Sequence, residues 1–392
     1  MDRPDDALIP AGTPWLADRA AQAVCRAIAA GGHRILFVGG CVRNALMGET
    51  FSDIDLATDA LPDAVITLAQ EAGLKSVPTG IEHGTVTVVS GGRGFEVTTF
   101  RRDVRTDGRR AVVAFTDDVA QDARRRDFTM NALYATPAGV IVDPLGGMPD
   151  LLARRVRFIE DAGARIREDY LRILRYFRFE AWYGRGEAGF DAEALDAIAR
   201  NAAGLETLSG ERVGAEIIRL LSAADPVAAV AAMRSTGVLG VVLPGSDDRM
   251  LGAVVHLEAQ VAPSPDHLLR LASLGGETVA ERLRLSRGDT RTLEAMREAM
   301  GSDAGISEIA YRQGPRIARA AAVLRAAGTG TPLPEGCDAR IEVGSNARFP
   351  VKAADLMPRL EGPALGAMLQ ALESRWIASE FSLKKSELLS GI

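Results

Sequence analysis

Residues 37–57 constrain the fold more than any other part of the chain. The short apolar run Ile35–Val38 is typical of a buried strand. Gly39 and Gly40 follow it directly, and paired glycines let a strand turn tightly into the helical run that begins near Cys41. The sequence therefore predicts a strand, a tight turn and a helix in immediate succession.

Two aspartates follow this predicted helix, with one apolar residue between them. If residues 53–57 form a strand, Asp53 and Asp55 point to one face, while Ile54 and Leu56 point into the core. Two carboxylates on one face repel each other, and a divalent cation usually neutralises such a pair. The glycine turn can offer backbone N–H groups to a phosphate. Together these features indicate nucleotidyl transfer, although solvated strand ends carry such acids about as often.

Composition limits the classes of protein to which the chain can belong. With 392 residues, 47% of them apolar, and no uncharged run of transmembrane length, we expect two or three globular domains and no membrane partner. The N-terminal residues lack a signal-peptide pattern and the three cysteines are scattered, which favours a cytoplasmic protein. The net charge of −6 argues against indiscriminate polyanion binding but permits a local basic surface. No segment indicates an obligate protein partner.

Strand patterns are confined to about the first 150 residues. We predict strands at Thr85–Ser90 and at residues 95–100, 111–115 and 140–142, helices at residues 15–30, 62–72 and 117–126, and an exposed flexible loop at residues 101–110. Glu96 lies in the second of these strands. Two interpretations are open: it supplies a third carboxylate to a metal site, or its side chain only faces solvent. Beyond residue 150 only helices are predicted, at residues 164–183, 192–203, 210–222, 226–235 and through the C-terminal third. The predicted fold class is α+β, an α/β head followed by an all-α remainder.

The predicted helix at residues 164–183 carries a ridge of arginines. Arg172, Arg175 and Arg178 are spaced by three, which keeps them on one slowly drifting side of a helix. Asp169 lies one turn before Arg172, and a carboxylate beside a guanidinium can hydrogen-bond the edges of cytosine and adenine. Arg175 and Arg178 are then available for phosphates. The alternative is a surface salt bridge between Asp169 and Arg172, which would contribute little to stability.

Five motifs occur in the order found in the class II tRNA nucleotidyltransferases, the CCA-adding enzymes, and the sequence resembles that family, which also includes bacterial poly(A) polymerases. The motifs are GGCVRN with DID (residues 39–44 and 53–55), RRDFTMNA (125–132), DPLGG with DL (143–147 and 150–151), EDYLRILR with RF (168–175 and 178–179), and ER with E (211–212 and 216). They extend over roughly residues 35–220. Five ordered motifs make the resemblance highly specific.

The resemblance implies a catalytic nucleotidyltransferase-type head at residues 1–150, a helical neck with the nucleotide-base template at 151–245, and a helical body and tail that binds tRNA at 246–392. It implies that Mg²⁺ is held by Asp53 and Asp55, with Glu96 as a plausible third catalytic carboxylate. The implied nucleotide-binding residues are Gly40, Arg43, Arg126, Asp169, Arg172, Arg175 and Arg178. Among them, Arg126 is implied to bind the ribose or a phosphate. Asp169 and Arg172 are implied to select CTP and ATP, and Arg175 and Arg178 to contact the triphosphate. Residues 101–110 correspond to the mobile loop required for the final adenosine.

The implied activity is addition of C, C and A to the 3′ end of tRNA, with the acceptor arm bound and CTP and ATP as substrates. One alternative is a poly(A) polymerase that adds ATP to RNA 3′ ends, but residues 79–86, TGIEHGTV, resemble the CCA-adding form. Another is an inactive RNA-binding relative, against which the intact acidic and template pairs argue. Asn44 departs from the family pattern, which has Asp there, so a salt bridge to Arg43 is lost while a hydrogen bond remains available.

Overall fold

The structure is a computed structural model that describes residues 8–10, 12–50, 53–107, 110–184, 189–262, 264–357 and 359–390; for residues 103–107 and 110–112 it describes the backbone only. The chain forms two compact units, Met1–Leu220 with Ala228–Val242, and Leu221–Val227 with Leu243–Ile392. Within the described ranges, no helix is long and apolar enough to cross a membrane.

The first unit contains a seven-stranded sheet in the order β3-β4-β5-β2-β1-β8-β9, as traced over the described residues. Its strands are β1 Ile35–Val38, β2 Asp55–Thr58, β3 Lys75–Gly80, β4 Thr85–Ser90, β5 Arg93–Thr99, β8 Tyr134–Ala135 and β9 Ile141–Val142. Strands β2 and β5 are parallel, whereas the other neighbours are antiparallel. Strands β6 Arg101–Asp107 and β7 Arg110–Phe115 pair with each other in a separate two-stranded sheet.

Strand β1 lies in the middle of the core because both of its faces are covered. The Phe37 ring contacts the Trp15 ring at 4.5 Å between centroids on one face. Leu36 and Val38 point to the other face, where they join a buried cluster with Phe100 and Tyr134. All four residues of the strand are buried, as expected for an apolar run in the interior of a sheet. The burial of β1 fixes the position of the glycine turn that follows it.

Helices surround the sheet and build the rest of the first unit. They are α1 Arg19–Ala30, α2 Gly40–Met47, α3 Pro62–Glu71, α4 Val119–Arg124, α5 Met148–Leu152, α6 Ala162–Glu168, α7 Leu171–Tyr183, α8 Ala192–Asn201, α9 Gly210–Leu221, α10 Val227–Ser235 and α11 Val238–Val242, with 3₁₀ turns at Ile81–His83, Thr129–Asn131 and Ala202–Thr207. Local sequence sets several helix starts. Asp18 accepts the N–H groups of Ala20 and Ala21 at the start of α1, and Pro62 occupies the first turn of α3.

The second unit is helical throughout its described part. Its helices are α12 Leu251–Val261, α13 His267–Leu274, α14 Val279–Arg282, α15 Arg287–Gly301, α16 Ile306–Gln313, α17 Pro315–Thr329, α18 Cys337–Asn346, α19 Gly362–Ala378 and α20 Lys385–Leu389, with a 3₁₀ turn at Ala353–Asp355. Near the C-terminus, Trp376 on α19 packs with Leu356, Leu372 and Leu388 in a separate apolar cluster.

The α+β class and the all-α remainder are confirmed, but two predicted elements are wrong in detail and one strand was not predicted. Residues 101–107 form a strand instead of a loop, because pairing with β7 orders a segment whose polar sequence gives no strand signal; residues 108–109 lie outside the described part. Residues 111–115 therefore extend that pair rather than the main sheet. Strand β3 is an addition that the sequence did not predict.

The predicted helix at residues 164–183 is also divided into α6 and α7. The break occurs at Asp169, whose backbone is extended with φ −155° and ψ 105°. Its carboxylate accepts the backbone N–H of Leu171 at 3.1 Å, which satisfies one of the free donors at the start of α7. The three arginines remain on one helix, but Asp169 lies before that helix and not within it.

Candidate active site

Three carboxylates lie at neighbouring positions on the parallel strands β2 and β5. Asp55 is the first residue of β2, and Asp53 precedes the strand, which begins two residues later than predicted. Asp55 is in register with Glu96 of β5, so the two side chains start from adjacent points on the sheet. All three line a cavity of about 430 Å³, together with Arg93. The fold thus brings together the acids that the sequence analysis singled out.

The charges of these acids are compatible with a divalent cation. Partial burial raises the pKa of Asp55, Glu96 and Asp53 raise it further, and Arg126 lowers it. A cation would relieve this repulsion between carboxylates. Within the described residues, no group of three or more His, Cys, Asp or Glu side chains is arranged to hold a metal ion. A pair of carboxylates can hold a divalent cation whose remaining ligands are phosphate oxygens and water.

The glycine turn lies between β1 and α2, as predicted, and it is closely approached by two guanidinium groups. Gly39 has φ 72° and ψ −121°, a conformation that a residue with a side chain would adopt only under strain. A Cβ atom there would lie 3.5 Å from Nη1 of Arg126, and one on Gly40 would lie 3.8 Å from Nη2 of Arg43. These are ordinary contact distances, so the requirement for glycine rests on the backbone conformation of Gly39.

Arg126 is held on one side by buried partners. Its Nε donates to the Tyr134 hydroxyl at 3.1 Å, and its Nη2 donates to Asp122 at 3.2 Å. Burial by itself would lower the pKa of Arg126, but Tyr134 and Asp122 outweigh burial and raise it. The guanidinium is therefore a permanent positive charge beside the acidic pair.

Arg43 is largely buried, with only 7% of the residue exposed, so little of it is accessible to a nucleotide. It donates to Asn131 at 2.5 Å and to the Tyr183 hydroxyl at 2.9 Å, and its guanidinium lies 4.1 Å from the centre of the Tyr183 ring. Burial lowers the pKa of Arg43. Asn44 accepts from Nε of Arg43 at 3.0 Å, so the hydrogen bond expected at this position is present without the charge of an aspartate.

The arginine ridge of α7 is neutralised by buried acids from other parts of the first unit. Arg175 donates to Asp127 at 2.7 Å, and Arg178 donates to Glu216 at 2.6 Å. Burial lowers the pKa of Arg175, but Asp127 and Glu216 raise it by more. Of the two side chains Arg175 is the more accessible, 31% exposed against 13% for Arg178.

Asp169 and Arg172 each have a different ionic partner. Asp169 accepts from Arg212 of α9 at 2.6 Å. Arg172 donates to Glu168 at 2.5 Å and to the carbonyl oxygen of Arg165 at 2.7 Å. Among the described residues the two template candidates are thus bound to other groups, so the alternative of a direct surface salt bridge between them is wrong.

Sequence reasoning missed the residues that hold these side chains in place. Asp127, Asn131, Arg212 and Glu216 lie inside the recognised motifs, so the motifs themselves contained the signal. Asp122 lies three and four residues before Arg125 and Arg126, a helical spacing that predicts ion pairs.

The sequence matches two protein-family models and several known proteins. Residues 35–157 match the Poly A polymerase head domain, and residues 189–250 match the family described as probable RNA and SrmB- binding site of polymerase A. The chain is 35% identical over 381 residues to the CCA tRNA nucleotidyltransferase 1, mitochondrial, of Danio rerio, covering 90% of this chain and 85% of the relative. It is 33% identical over 384 residues to the mouse protein of the same name, with 92% and 86% covered.

Among solved structures, the Bacillus stearothermophilus CCA-adding enzyme in complex with CTP superposes with a TM-score of 0.69 at 26% identity, over 94% of both chains. The Thermotoga maritima CCA-adding enzyme complexed with tRNA has a TM-score of 0.68 at 17% identity, over 97% of this chain and 98% of that one, and shares the fold.

Proposed function

The chain belongs to the family of CCA-adding tRNA nucleotidyltransferases, and we propose that it extends the 3′ end of tRNA with C, C and A from CTP and ATP. The relatives named as such enzymes match it over most of their length. The observation that supports the proposal is the combination of the acidic pair, the glycine turn and the side chains of Asp169 and Arg172 in one compact unit. An RNA-binding relative without activity has no use for that combination.

We assign Mg²⁺ to Asp53 and Asp55, with Glu96 as a third carboxylate beside them. When bound, the metal supplies Lewis-acid activation of the attacking 3′-hydroxyl and of the α-phosphate. Burial and the neighbouring Glu96 raise the pKa of Asp55, and a bound cation would remove the repulsion between the carboxylates. Arg126 supplies a fixed positive charge for the ribose or phosphates of the nucleotide.

Asp169 and Arg172 are the residues that we assign to base selection. A carboxylate accepts from the exocyclic amino group of cytosine or adenine, whereas uracil and guanine present a carbonyl oxygen there, which it repels. Arg212 holds the Asp169 carboxylate in place, and Glu168 fixes the fork of Arg172. The Asp169 side chain is 23% exposed and reachable by a base, whereas the Arg172 side chain is 12% exposed and about as enclosed as Arg178.

Phosphate binding falls to Arg175, Arg178, Arg43 and the backbone at Gly40. Arg175 is the best placed of the three arginines, since it is the most exposed. Arg43 and Arg178 are more enclosed, and they contribute positive charge over a longer distance as well as through contact.

We further propose that residues 1–150 act as the catalytic head, 151–245 as the neck with the base template, and 246–392 as a body and tail that bind the tRNA acceptor arm. The end of the last sheet strand at Val142 and the start, at Leu243, of the main part of the second compact unit support these limits; Leu221–Val227 also belongs to that unit. A tRNA would be bound mainly through its backbone and shape.

We also propose a cytoplasmic location. Cys25, Cys41 and Cys337 are free and buried, as is usual in a reducing compartment. Immunoblotting of fractionated host cells tests this proposal, and recovery of the protein with an organelle fraction would overturn it.

The activity is tested with a tRNA transcript that lacks its three terminal nucleotides. The protein is incubated with this RNA and Mg²⁺, and with CTP, ATP or both, and the products are sequenced at the 3′ end. We expect two C residues with CTP alone and CCA with both nucleotides. Repeated addition of A to an unrelated RNA would identify a poly(A) polymerase instead, and no incorporation under any condition would overturn the proposed function.

A further inference from the structure

We propose that Tyr134 and Asp122 are positioning residues that fix the Arg126 guanidinium beside the glycine turn and thereby set the affinity for the incoming nucleotide. This inference rests on the proposed function. Neither residue was among the site residues indicated by the sequence, and neither lines the cavity that contains the acids.

Tyr134 lies where it can act on both the glycine turn and Arg126. It is fully buried in β8 and is in register with Val38, the residue that directly precedes Gly39. Its hydroxyl accepts from Nε of Arg126 at 3.1 Å and donates to Asp122 at 2.7 Å. The Arg126 guanidinium also lies 5.3 Å from the centre of the Tyr134 ring. The side chain therefore uses its ring, its donor and its acceptor in the same small network.

Asp122 completes the network from α4. It is 1% exposed, and its carboxylate accepts from Tyr134, from Arg126 at 3.2 Å and from Arg125 at 2.8 Å. The backbone N–H of Arg101 also points to it at 3.4 Å. Burial of an acid is costly unless its charge is compensated, and here two guanidinium groups and a hydroxyl compensate it. Asp122 is thus a buried carboxylate whose negative charge is balanced by these partners.

Tyr134 and Asp122 bond two of the three guanidinium nitrogens of Arg126 and leave Nη1 for the nucleotide. Nε and Nη2 are occupied by Tyr134 and Asp122, whereas Nη1 is the atom that approaches Gly39. An arginine held in this way loses little conformational freedom when a nucleotide arrives, so less of the binding free energy is spent on ordering it. Without Tyr134 and Asp122 the same guanidinium would be free to rotate away from the turn.

The most direct test is Tyr134→Phe, which removes the hydroxyl and keeps the ring. We expect the KM for CTP and for ATP to rise about tenfold, as for the loss of a hydrogen bond to a charged group, with the KM for tRNA unchanged. Tyr176→Phe is the matched control, because Tyr176 is also fully buried and its hydroxyl accepts the backbone N–H of Asp191. It should lower the Tm by a similar amount without changing the KM for nucleotides.

A double-mutant cycle separates positioning from general stability. If Tyr134 acts through Arg126, then Tyr134→Phe has no further effect on the nucleotide KM in an Arg126→Ala background. An equal effect in both backgrounds, or an unchanged KM in Tyr134→Phe, would overturn the inference. Should Tyr134→Phe be too unstable to assay, Asp122→Asn serves in its place, because it removes the charge that holds Nη2 of Arg126 and leaves Arg126 itself intact. The same rise in the nucleotide KM with an unchanged KM for tRNA is expected, and an unchanged nucleotide KM would overturn the inference. An inactive wild-type protein would instead refute the proposed function.

Discussion

At the scale of single residues, the ionisable groups of this site are understood only through their neighbours. Asp55 and Asp127 are both partly or fully enclosed acids, and burial tends to raise the pKa of each. Next to Asp55 stand other carboxylates, so its pKa is raised. Next to Asp127 stand Arg175 and the Asn131 amide, which more than offset burial and hold the pKa at about 2. Asp55 is therefore suited to bind a metal cation, whereas Asp127 is already paired with the guanidinium of Arg175.

Asp53→Ala should abolish nucleotide incorporation and leave tRNA affinity nearly unchanged. The substitution removes half of the acidic pair to which the metal is assigned, while the tRNA contacts are proposed to lie elsewhere. Incorporation is measured by gel electrophoresis of labelled tRNA, and affinity by filter binding. Asp63→Ala, at an exposed position of α3, is the control and should be fully active. Normal turnover by Asp53→Ala would show that the metal assignment is wrong.

Asp127 should make the stability of the first unit depend on pH in the acid range. A carboxyl whose pKa falls from 3.8 to about 2 on folding contributes about 2 kcal/mol, and this contribution is present above pH 4 and lost as the pH falls toward 2. The difference in unfolding free energy between wild type and Asp127→Asn should therefore shrink from pH 4 to pH 2, as measured by denaturant titration at each pH. Asp63→Asn should show no such change, and a constant difference for Asp127→Asn would contradict the assignment.

At the scale of elements, α7 and α9 function as a pair. Arg212, Glu216 and Arg219 lie at positions i, i+4 and i+7 of α9, which form one face of the helix. The side chains of Arg212 and Glu216 contact Asp169 and Arg178, respectively. The backbone carbonyl of Arg219 accepts the ring N–H of Trp182, so the three contacts follow in the same order along both segments. Helix α9 therefore holds the template and phosphate residues of α7 in a single register.

Glu216→Gln should weaken nucleotide binding because it leaves Arg175 and Arg178 without their shared counter-charge. Glu216 is 4% exposed and bonded to Arg178, so we expect a loss of about 3 kcal/mol of stability and a higher KM for both CTP and ATP. Steady-state kinetics and thermal unfolding measure the two effects. The control is Glu206→Gln, at an exposed position before α9, where both quantities should stay at wild-type values. Equal effects of the two substitutions would argue against a special role for α9.

At the scale of the whole molecule, the second unit has its own buried ionic centre. Arg270 and Glu258 are both nearly fully buried and bonded at 2.7 Å. Arg270 also donates to the carbonyl oxygens of Leu221 and Ala223, and Glu258 accepts the backbone N–H of Asp266. This one pair therefore links three separate stretches of the chain within that unit, at residues 221–223, 258 and 266–270.

Arg270→Leu should destabilise the second unit by about 3–5 kcal/mol, because it leaves a buried carboxylate and several carbonyl groups unpaired. Hydrogen exchange should report faster opening of α12 and α13. Arg316→Leu is the matched control, since Arg316 binds Asp266 at 2.7 Å in the same unit but is 51% exposed, and exposed pairs are worth about 0–1 kcal/mol. Similar exchange rates in the two variants would contradict this view of the pair.

Much of the fold was open to prediction from local patterns. The apolar run of β1, the glycine turn, the strands β4 and β5 and the division into a mixed head and a helical remainder all follow from sequence periodicity. Strand β6 was missed because its polar residues carry no alternation, and the break at Asp169 was missed because the residues around it favour a helix. In both cases a contact outside the segment decided its conformation.

The sequence by itself determined which chemical groups this protein has and the order in which they occur. The acids Asp53 and Asp55, the glycine turn and the arginine ridge are local features, and short-range geometry suffices to predict them. Only the tertiary structure decided which charges neutralise one another. Asp127 and Arg175 are 48 residues apart and Asp169 and Arg212 are 43 apart, and electrostatic pairing depends on distance in space, which no local pattern contains.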